Sequence, residues 1–331
     1  MAAQVEPSEA GTERAGMEHS HAPLRSQLET LLGHHVTLVI RFMRATVSGD
    51  PGFVDTADAA LVRNTDDLTR ALAPAVGARQ ARAFGELWQQ QVQALFTYAA
   101  AVRDDDQAAR DDALADLDVF IDAQSALIAD LTDERLSRSE AARQLRNKIA
   151  QLTEQVDAYA VEDYDRAYEL QRSAYALMFP IGTALADATQ EMPAAHTPTD
   201  QLSSALAQLL GEHVEIAIDA MRAGVEGAPE FPAAAGALNA NTEDVAAAMD
   251  SLFGADRAEA FNRLWADHID LFVEYTVAVA DNDEAAKDDI AARFERVIDQ
   301  FGSALAETTE GQVDAEVVHQ AMTRHEHQLF E

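Results

Sequence analysis

Leu264-Trp265-Ala266-Asp267-His268-Ile269-Asp270-Leu271-Phe272-Val273-Glu274-Tyr275 is the stretch that decides the fold of this chain. Its large apolar residues recur at steps of three and four, which predicts a buried helix, and His268 lies on the apolar face. An altered copy lies upstream, Leu87-Trp88-Gln89-Gln90-Gln91-Val92-Gln93-Ala94-Leu95-Phe96-Thr97-Tyr98, where Gln91 takes the place of the histidine. The two stretches together predict a duplicated helical scaffold.

Other segments return at nearly the same distance. Leu31-Leu32-Gly33-His34-His35-Val36 returns as Leu209-Leu210-Gly211-Glu212-His213-Val214, an offset of 178 residues, and Asn64-Thr65-Asp66-Asp67-Leu68 matches Asn241-Thr242-Glu243-Asp244-Val245 with an offset of 177. The segment from Pro193 to Pro198 reads as a loose connection between the halves. The pattern therefore indicates one long copy followed by a second, incomplete copy.

The composition favours helices, because the chain is rich in Ala and poor in Gly and Pro. We expect an all-α fold with two tandem up-down helical bundles that arise from an internal duplication and are joined by a helical hairpin. Ser137 or Ser139 is expected to cap a helix, and the runs ending at Asp106 and Asp283 are expected to do the same. The predicted segments are a disordered tail (1–22), a first four-helix bundle (23–134), the hairpin (135–192), a linker (193–198), a second four-helix bundle (199–310) and a C-terminal helix (311–331).

Charge and cysteine content exclude several classes of function. The chain has 24 Lys and Arg residues against 58 Asp and Glu residues, and its formal net charge is -34. Such a surface repels nucleic acids and anionic membranes, and it acts either as a solubility device or as a collector of cations. No segment approaches the roughly 18 apolar residues of a membrane span. The absence of cysteine excludes disulfides, thiolate metal sites and iron–sulfur clusters.

Three histidines of the second half lie on the apolar faces of three different predicted helices: His213, His268 and His325. Each follows its predicted helix start by 12 to 14 residues, about 20 Å along the axis, so the rings fall in one layer if these helices run in the same direction. The layer predicts either a three-histidine metal site with an open position or core histidines satisfied by hydrogen bonds. Glu212 and Asp267, which precede two of them, are predicted to be surface groups.

The first half carries His35, Gln91 and Lys148 at the matching positions. Protonated lysine is no ligand and glutamine is a weak one, so a site made only of histidines is lost there. Either the first copy is a degenerate scaffold or the layer tolerates any polar group, and His35 remains a fourth candidate ligand. The Glu316-x-x-His319 spacing is typical of di-iron bundles, but those need two such motifs.

The phrases Leu-Leu-Gly-Glu-His-Val and Leu-Trp-Ala-Asp-His-Ile-Asp-Leu-Phe-Val-Glu-Tyr-Thr resemble an uncharacterised bacterial helical-repeat family over most of residues 24–331. Its members are usually secreted, and some are labelled copper amine oxidase-like. The resemblance implies histidines where this chain has His35, His213, His268 and His325. Gln91 and Lys148 depart from that pattern, and so does Leu177, where the family has a further histidine. The resemblance implies no reaction, and the chain has no Asn-Tyr-Asp or Asn-Tyr-Glu sequence for an oxidase cofactor.

The sequence therefore predicts a non-enzymatic helical-bundle protein that binds a transition metal ion (zinc, copper or iron) or a metal-bearing cofactor through the second half. The alternative is an acidic structural or interaction scaffold whose histidines are only satisfied in the core. A ferritin-like or haemerythrin-like redox enzyme is disfavoured by the shortage of paired carboxylates and histidines. We expect no nucleic-acid partner, a homo-oligomer or protein partner at the incomplete second copy, and an extracytoplasmic location with the cytoplasm as the alternative.

Overall fold

The computed structural model describes residues 24–190, 198–311 and 313–330, and this part of the chain is all-α, as predicted. Short joints connect consecutive helices, most of which pack on their neighbour in the chain. The helices are, in order, α1 (Leu24–Ser48), α2 (Pro51–Val76), α3 (Ala78–Arg103), α4 (Gln107–Leu131), α5 (Arg138–Ala160), α6 (Tyr164–Ala188), α7 (Pro198–Glu226), α8 (Phe231–Phe253), α9 (Ala255–Ala280), α10 (Glu284–Thr308) and α11 (Ala315–Phe330).

Side-chain caps fix where several helices begin. Ser137 accepts a hydrogen bond from the backbone N–H of Glu140 at the start of α5, so the capping role falls to Ser137 rather than Ser139. Asp106 caps α4 and Asp283 caps α10, each through the N–H three residues ahead at 3.0 Å. These caps satisfy N–H groups that have no partner inside the helix. The predicted capping role of both acidic runs is confirmed.

The first half has one continuous hydrophobic core, to which α1, α2, α3, α4, α5 and α6 all contribute. Its centre is α1, which packs against α2, α3, α5 and α6 and is buried around most of its circumference. Gly182 of α6 explains the close approach to α1, because a Cβ at this position would lie 2.8 Å from the backbone nitrogen of Glu29. The hairpin α5–α6 therefore belongs to the same packed unit as the first four helices.

The second half packs less completely. Its buried residues form two clusters, and Tyr168 of α6 joins the larger one. Three large apolar side chains of α7 stay exposed, Leu210, Ile218 and Val225, although their matched residues in α1 are buried or half-buried. In the first half α6 packs against α1, and the described second half contains no matching helix against α7. One face of α7 is therefore left uncovered.

A buried ionic network joins the two halves. Arg41 of α1 contacts Asp219 of α7 at 2.8 Å and Glu215 at 2.9 Å. The side-chain amide of Gln171 on α6 donates to the other oxygen of Asp219 at 2.9 Å. Burial opposes ionisation of Asp219, but nearby arginines and these hydrogen bonds keep its pKa below the ordinary value. The network holds α7 against α1 and α6. It therefore sets the orientation of the face of α7 that carries His213.

The predicted division into two bundles, a hairpin, a linker and a C-terminal helix stays a prediction. The predicted tail (1–22) and most of the predicted linker (193–197) lie outside the described residues. The internal duplication stays a prediction from the sequence, and matched positions below are positions matched in sequence. None of the described helices has the length and apolar character needed to cross a bilayer.

Candidate metal centre

The fold brings His213, His268 and His325 together from α7, α9 and α11. Each can offer one ring nitrogen such that the three nitrogens lie within 4.8 Å of one another, and no other described residues form such a group of three potential ligands. Nitrogens that share one ion at 2.0–2.1 Å stand about 3.5 Å apart, so the rings need to close by about 1 Å. The predicted histidine layer is confirmed.

The histidines stand in an aromatic enclosure. Their ring centroids lie 5.4 Å (His213 to His268), 5.9 Å (His213 to His325) and 6.5 Å (His268 to His325) apart. Trp265 contacts two of them, with its ring centroid 4.7 Å from that of His213 and 4.6 Å from that of His268. Phe272 and Phe301 complete the wall, at 5.8 Å from His325 and 5.9 Å from His268. The surroundings therefore have a low polarity.

Hydrogen bonding leaves ring nitrogens available in this enclosure. Nδ1 of His268 lies 2.5 Å from the carbonyl oxygen of Trp265, so Nδ1 carries the proton and donates it, and Nε2 keeps its lone pair. That Nε2 is buried and has no hydrogen-bond partner among the described residues. Both ring nitrogens of His213 are buried as well, and Asn241 is the described residue whose side chain approaches this ring as a hydrogen-bond partner, so at least one of the two nitrogens is left without one. Buried polar atoms without partners are rare and call for an explanation such as a bound ion or water.

Burial keeps the three imidazoles neutral. It lowers the pKa of His268 to about 3, against the opposing effect of the Trp265 carbonyl. It also lowers the pKa of His213 well below the ordinary value, where His268 and His325 add to the effect and Asn241 opposes it. The pKa of His325 is lowered by burial as well. Neutral imidazole is the form that binds metals, so no proton has to be removed before an ion can bind.

The environment of Glu212, the residue that precedes His213 in the chain, differs from the sequence prediction. Glu212 was predicted to be a surface group, but it is buried and accepts hydrogen bonds from Arg172 at 3.1 Å and from Asn241 at 2.9 Å. Asn241 also donates to the carbonyl oxygen of Leu209, one turn before His213. Glu212 is buried because α6 and α8 both pack on that side of α7. Asp267 is exposed, as predicted.

The matched layer of the first half holds a different set of groups. His35, Gln91 and Lys148 are all fully buried, and the Lys148 ammonium donates to Oε1 of Gln91. The Lys148 nitrogen also lies 3.9 Å from the centroid of the Trp88 ring, on which His35 packs at 5.1 Å. Nδ1 of His35 faces Oδ1 of Asn64 at 3.1 Å, and its Nε2 has no partner among the described residues.

Of the four histidines named from the sequence, the fold brings three together. His35 lies beside Lys148 and Gln91 in the other half, outside the group of three. The sequence reasoning did not find the aromatic wall of Phe301 or the contact between Glu212 and Asn241. The motif around Asn241 was visible as a repeated segment, but sequence spacing alone does not reveal that its amide faces Glu212.

Comparisons with known proteins add no assignment to this geometry. No family model matches the chain, and no curated protein or solved structure matches it.

Proposed function

We propose that this chain is a non-enzymatic metal-binding protein that holds one transition metal ion through His213, His268 and His325. The observation that carries the proposal is the convergence of three histidine ring nitrogens within 4.8 Å, on two buried residues and one half-buried residue. Three neutral imidazoles are a ligand set that zinc, copper and iron accept. An extracytoplasmic location, which the family resemblance implies, belongs to the same proposal.

The orphaned nitrogens favour a bound ion over a purely structural role. A buried polar atom without a partner costs about 1–3 kcal/mol, and Nε2 of His268 and at least one nitrogen of His213 are of this kind. A hydrogen-bonded core would pair such atoms with carbonyl or carboxylate groups on neighbouring helices. One ion bound by the three rings removes the penalty from His213 and His268 at once, and His325 completes the ligand set.

The exposed face of α7 supports a second candidate function, that of an interaction scaffold. Leu210, Ile218 and Val225 keep 41%, 36% and 42% of their surface exposed on one helix, in a chain whose surface is strongly acidic. Exposed apolar faces of this kind are often sites of protein contact. The two functions are compatible, because His213 is on the buried face of α7 and these three residues are on its exposed face.

Metal analysis of tag-free protein tests the main proposal. Wild-type protein and the His213→Ala/His268→Ala variant are loaded with one metal at a time, dialysed and measured for metal per folded chain. We expect one ion per chain in the wild type and none in the variant. The His34→Ala variant, which changes an exposed histidine outside the layer, is the control and is expected to retain the ion. Equal, substoichiometric metal in all three proteins would refute the proposal.

A further inference from the structure

The charge balance of the histidine layer restricts which ion it can hold. The group of potential ligands that converges here consists of His213, His268 and His325, and no carboxylate of the described residues belongs to it. Three acidic residues are adjacent in sequence to one of these histidines. Glu212 already accepts hydrogen bonds from Arg172 and Asn241, Asp267 is exposed and Glu326 is half-buried. The converging ligands are therefore three imidazoles, with no carboxylate in the group.

A divalent ion is poorly matched to such a site. Three imidazoles leave its full double charge inside an aromatic enclosure, and the cost of burying a charge rises steeply as the charge increases and the polarity falls. A divalent ion would have to bring an anion, such as hydroxide or chloride, as a fourth ligand. A monovalent ion needs no such companion, because a single positive charge is also stabilised by the face of a tryptophan.

The matched layer of the first half shows how a positive charge is held in a buried aromatic environment. There the charge is the ammonium of Lys148, which lies 3.9 Å from the Trp88 ring centroid and donates to Gln91. Among the described residues no carboxylate acts on this ammonium. Burial lowers the pKa of Lys148 to about 7, so this kind of enclosure disfavours even one positive charge. A double charge without an anion is disfavoured more strongly.

We infer that the site of His213, His268 and His325 holds a monovalent d10 ion, copper(I), in preference to zinc(II) or another divalent ion. The inference rests on the proposed function, because it specifies the ion for the same three ligands. Three-coordinate binding by neutral nitrogen ligands leaves a complex of single charge, with Trp265 packed on two of the ligand rings. Silver(I), which has the same charge and a filled d shell, is the probe that remains stable in air.

Competition titrations test the inference on tag-free, metal-free full-length protein. Copper(I) is kept reduced with ascorbate under nitrogen and competes with the chromophoric chelator bicinchoninate. Silver nitrate and zinc sulfate are titrated separately by calorimetry in chloride-free buffer, and the zinc titration is repeated with sodium azide. We expect one copper(I) or silver(I) per chain, with zinc(II) bound about 100-fold more weakly and more tightly once azide supplies the missing negative charge.

Two variants provide the matched controls. His268→Gln copies the residue found at Gln91 and is expected to weaken copper(I) and silver(I) binding at least about tenfold, while far-UV circular dichroism and the thermal midpoint report whether the variant folds. His34→Ala should bind like the wild type. Zinc(II) bound as tightly as copper(I) without azide would overturn the inference and leave metal binding intact. No ion bound by the wild type beyond that bound by His213→Ala/His268→Ala would overturn both.

Discussion

The polar layer of the first half contains His35, Gln91 and Lys148, and the layer matched to it in sequence contains His213, His268 and His325. The polar groups of the two layers find different partners. In the second half, three neutral imidazoles face one another and leave buried nitrogens without partners. In the first half, the same level holds one imidazole, and Lys148 donates directly to Gln91. Both layers pack against a tryptophan, with Lys148 over the Trp88 ring and His213 against Trp265. The chain thus contains its own control for the metal proposal.

The two buried layers differ in whether the chain itself supplies a positive charge. The first half carries a positive charge that is covalently part of the chain, and Nε2 of His35 and Nε2 of Gln91 have no partner there among the described residues. The second half lacks such a charge, and under the proposed function a bound ion supplies it. The helices that carry Lys148 and His325 also differ in burial. Helix α5 has nine buried residues, whereas only Val318 is buried among the described side chains of α11.

The largest expected effect is the creation of a second site. Replacing Gln91→His and Lys148→His together gives the first half three imidazoles at the matched level, next to the unpartnered Nε2 of His35. We expect the double variant to bind two ions per chain where the wild type binds one, measured by metal analysis after dialysis. Lys148→Met, which leaves His35 as the sole imidazole of the layer, should stay at one ion.

Two outcomes would break this comparison. A folded double variant that still binds one ion would mean that the first half does not hold its rings close enough, despite the matched sequence. Two ions already bound by the wild type would mean that His35 takes part in a site of a different composition.

The second prediction compares the buried and exposed faces of α1 and α7. Leu32 is 1% exposed and its matched residue Leu210 is 41% exposed. Leu32→Ala should lower the free energy of unfolding by about 2–4 kcal/mol because it leaves a cavity under α6, whereas Leu210→Ala should lower it by less than about 1 kcal/mol. Urea unfolding of both variants measures the difference. A loss at Leu210 as large as that at Leu32, and dependent on protein concentration, would instead show that another chain covers α7.

The sequence predicted the all-α fold and the meeting of three histidines because both follow from helical periodicity. His213, His268 and His325 lie at similar distances from their helix starts, and three parallel helices convert that into one layer. Glu212 was misassigned because its burial depends on α6, a helix distant in sequence. The contact of Lys148 with Trp88 was missed for a similar reason, since the rotamer and the crossing of α5 and α3 decide it. Long-range packing of this kind leaves no local periodic signal.

The third prediction concerns the buried charge of the first half. Burial lowers the pKa of Lys148 to about 7, whereas lysine in an unfolded chain keeps its proton up to about pH 10.4. Between these values the unfolded state binds more protons, so this residue makes stability rise from pH 7 to about pH 10. Lys148→Met should therefore raise the free energy of unfolding by about 1–3 kcal/mol at pH 7, after the loss of the Gln91 hydrogen bond, and by less at pH 10.

Urea unfolding at several pH values between 7 and 10 checks this prediction. Lys287→Met is the control, because Lys287 is the other lysine of the chain and the nearby Glu284 raises its pKa rather than lowering it. A Lys148→Met protein that is less stable than the wild type at every pH would mean that the ammonium, the amide and Trp88 together stabilise the core.

The smallest effect we predict is on the dynamics of α11. This helix packs chiefly on α10, and His325 is its link to the rings of His213, His268 and Phe272. A bound ion must lose one of three ligands before α11 can detach, so metal should slow amide hydrogen exchange in α11 by about tenfold, equivalent to about 1.4 kcal/mol. Exchange in α5, which is held by its nine buried residues, should not change. Because His325→Ala removes the link and leaves the other two ligands in place, it should abolish the protection of α11 while α5 exchanges as before. Equal protection of α11 in that variant would show that the ion stabilises the second half as a whole rather than fastening this helix.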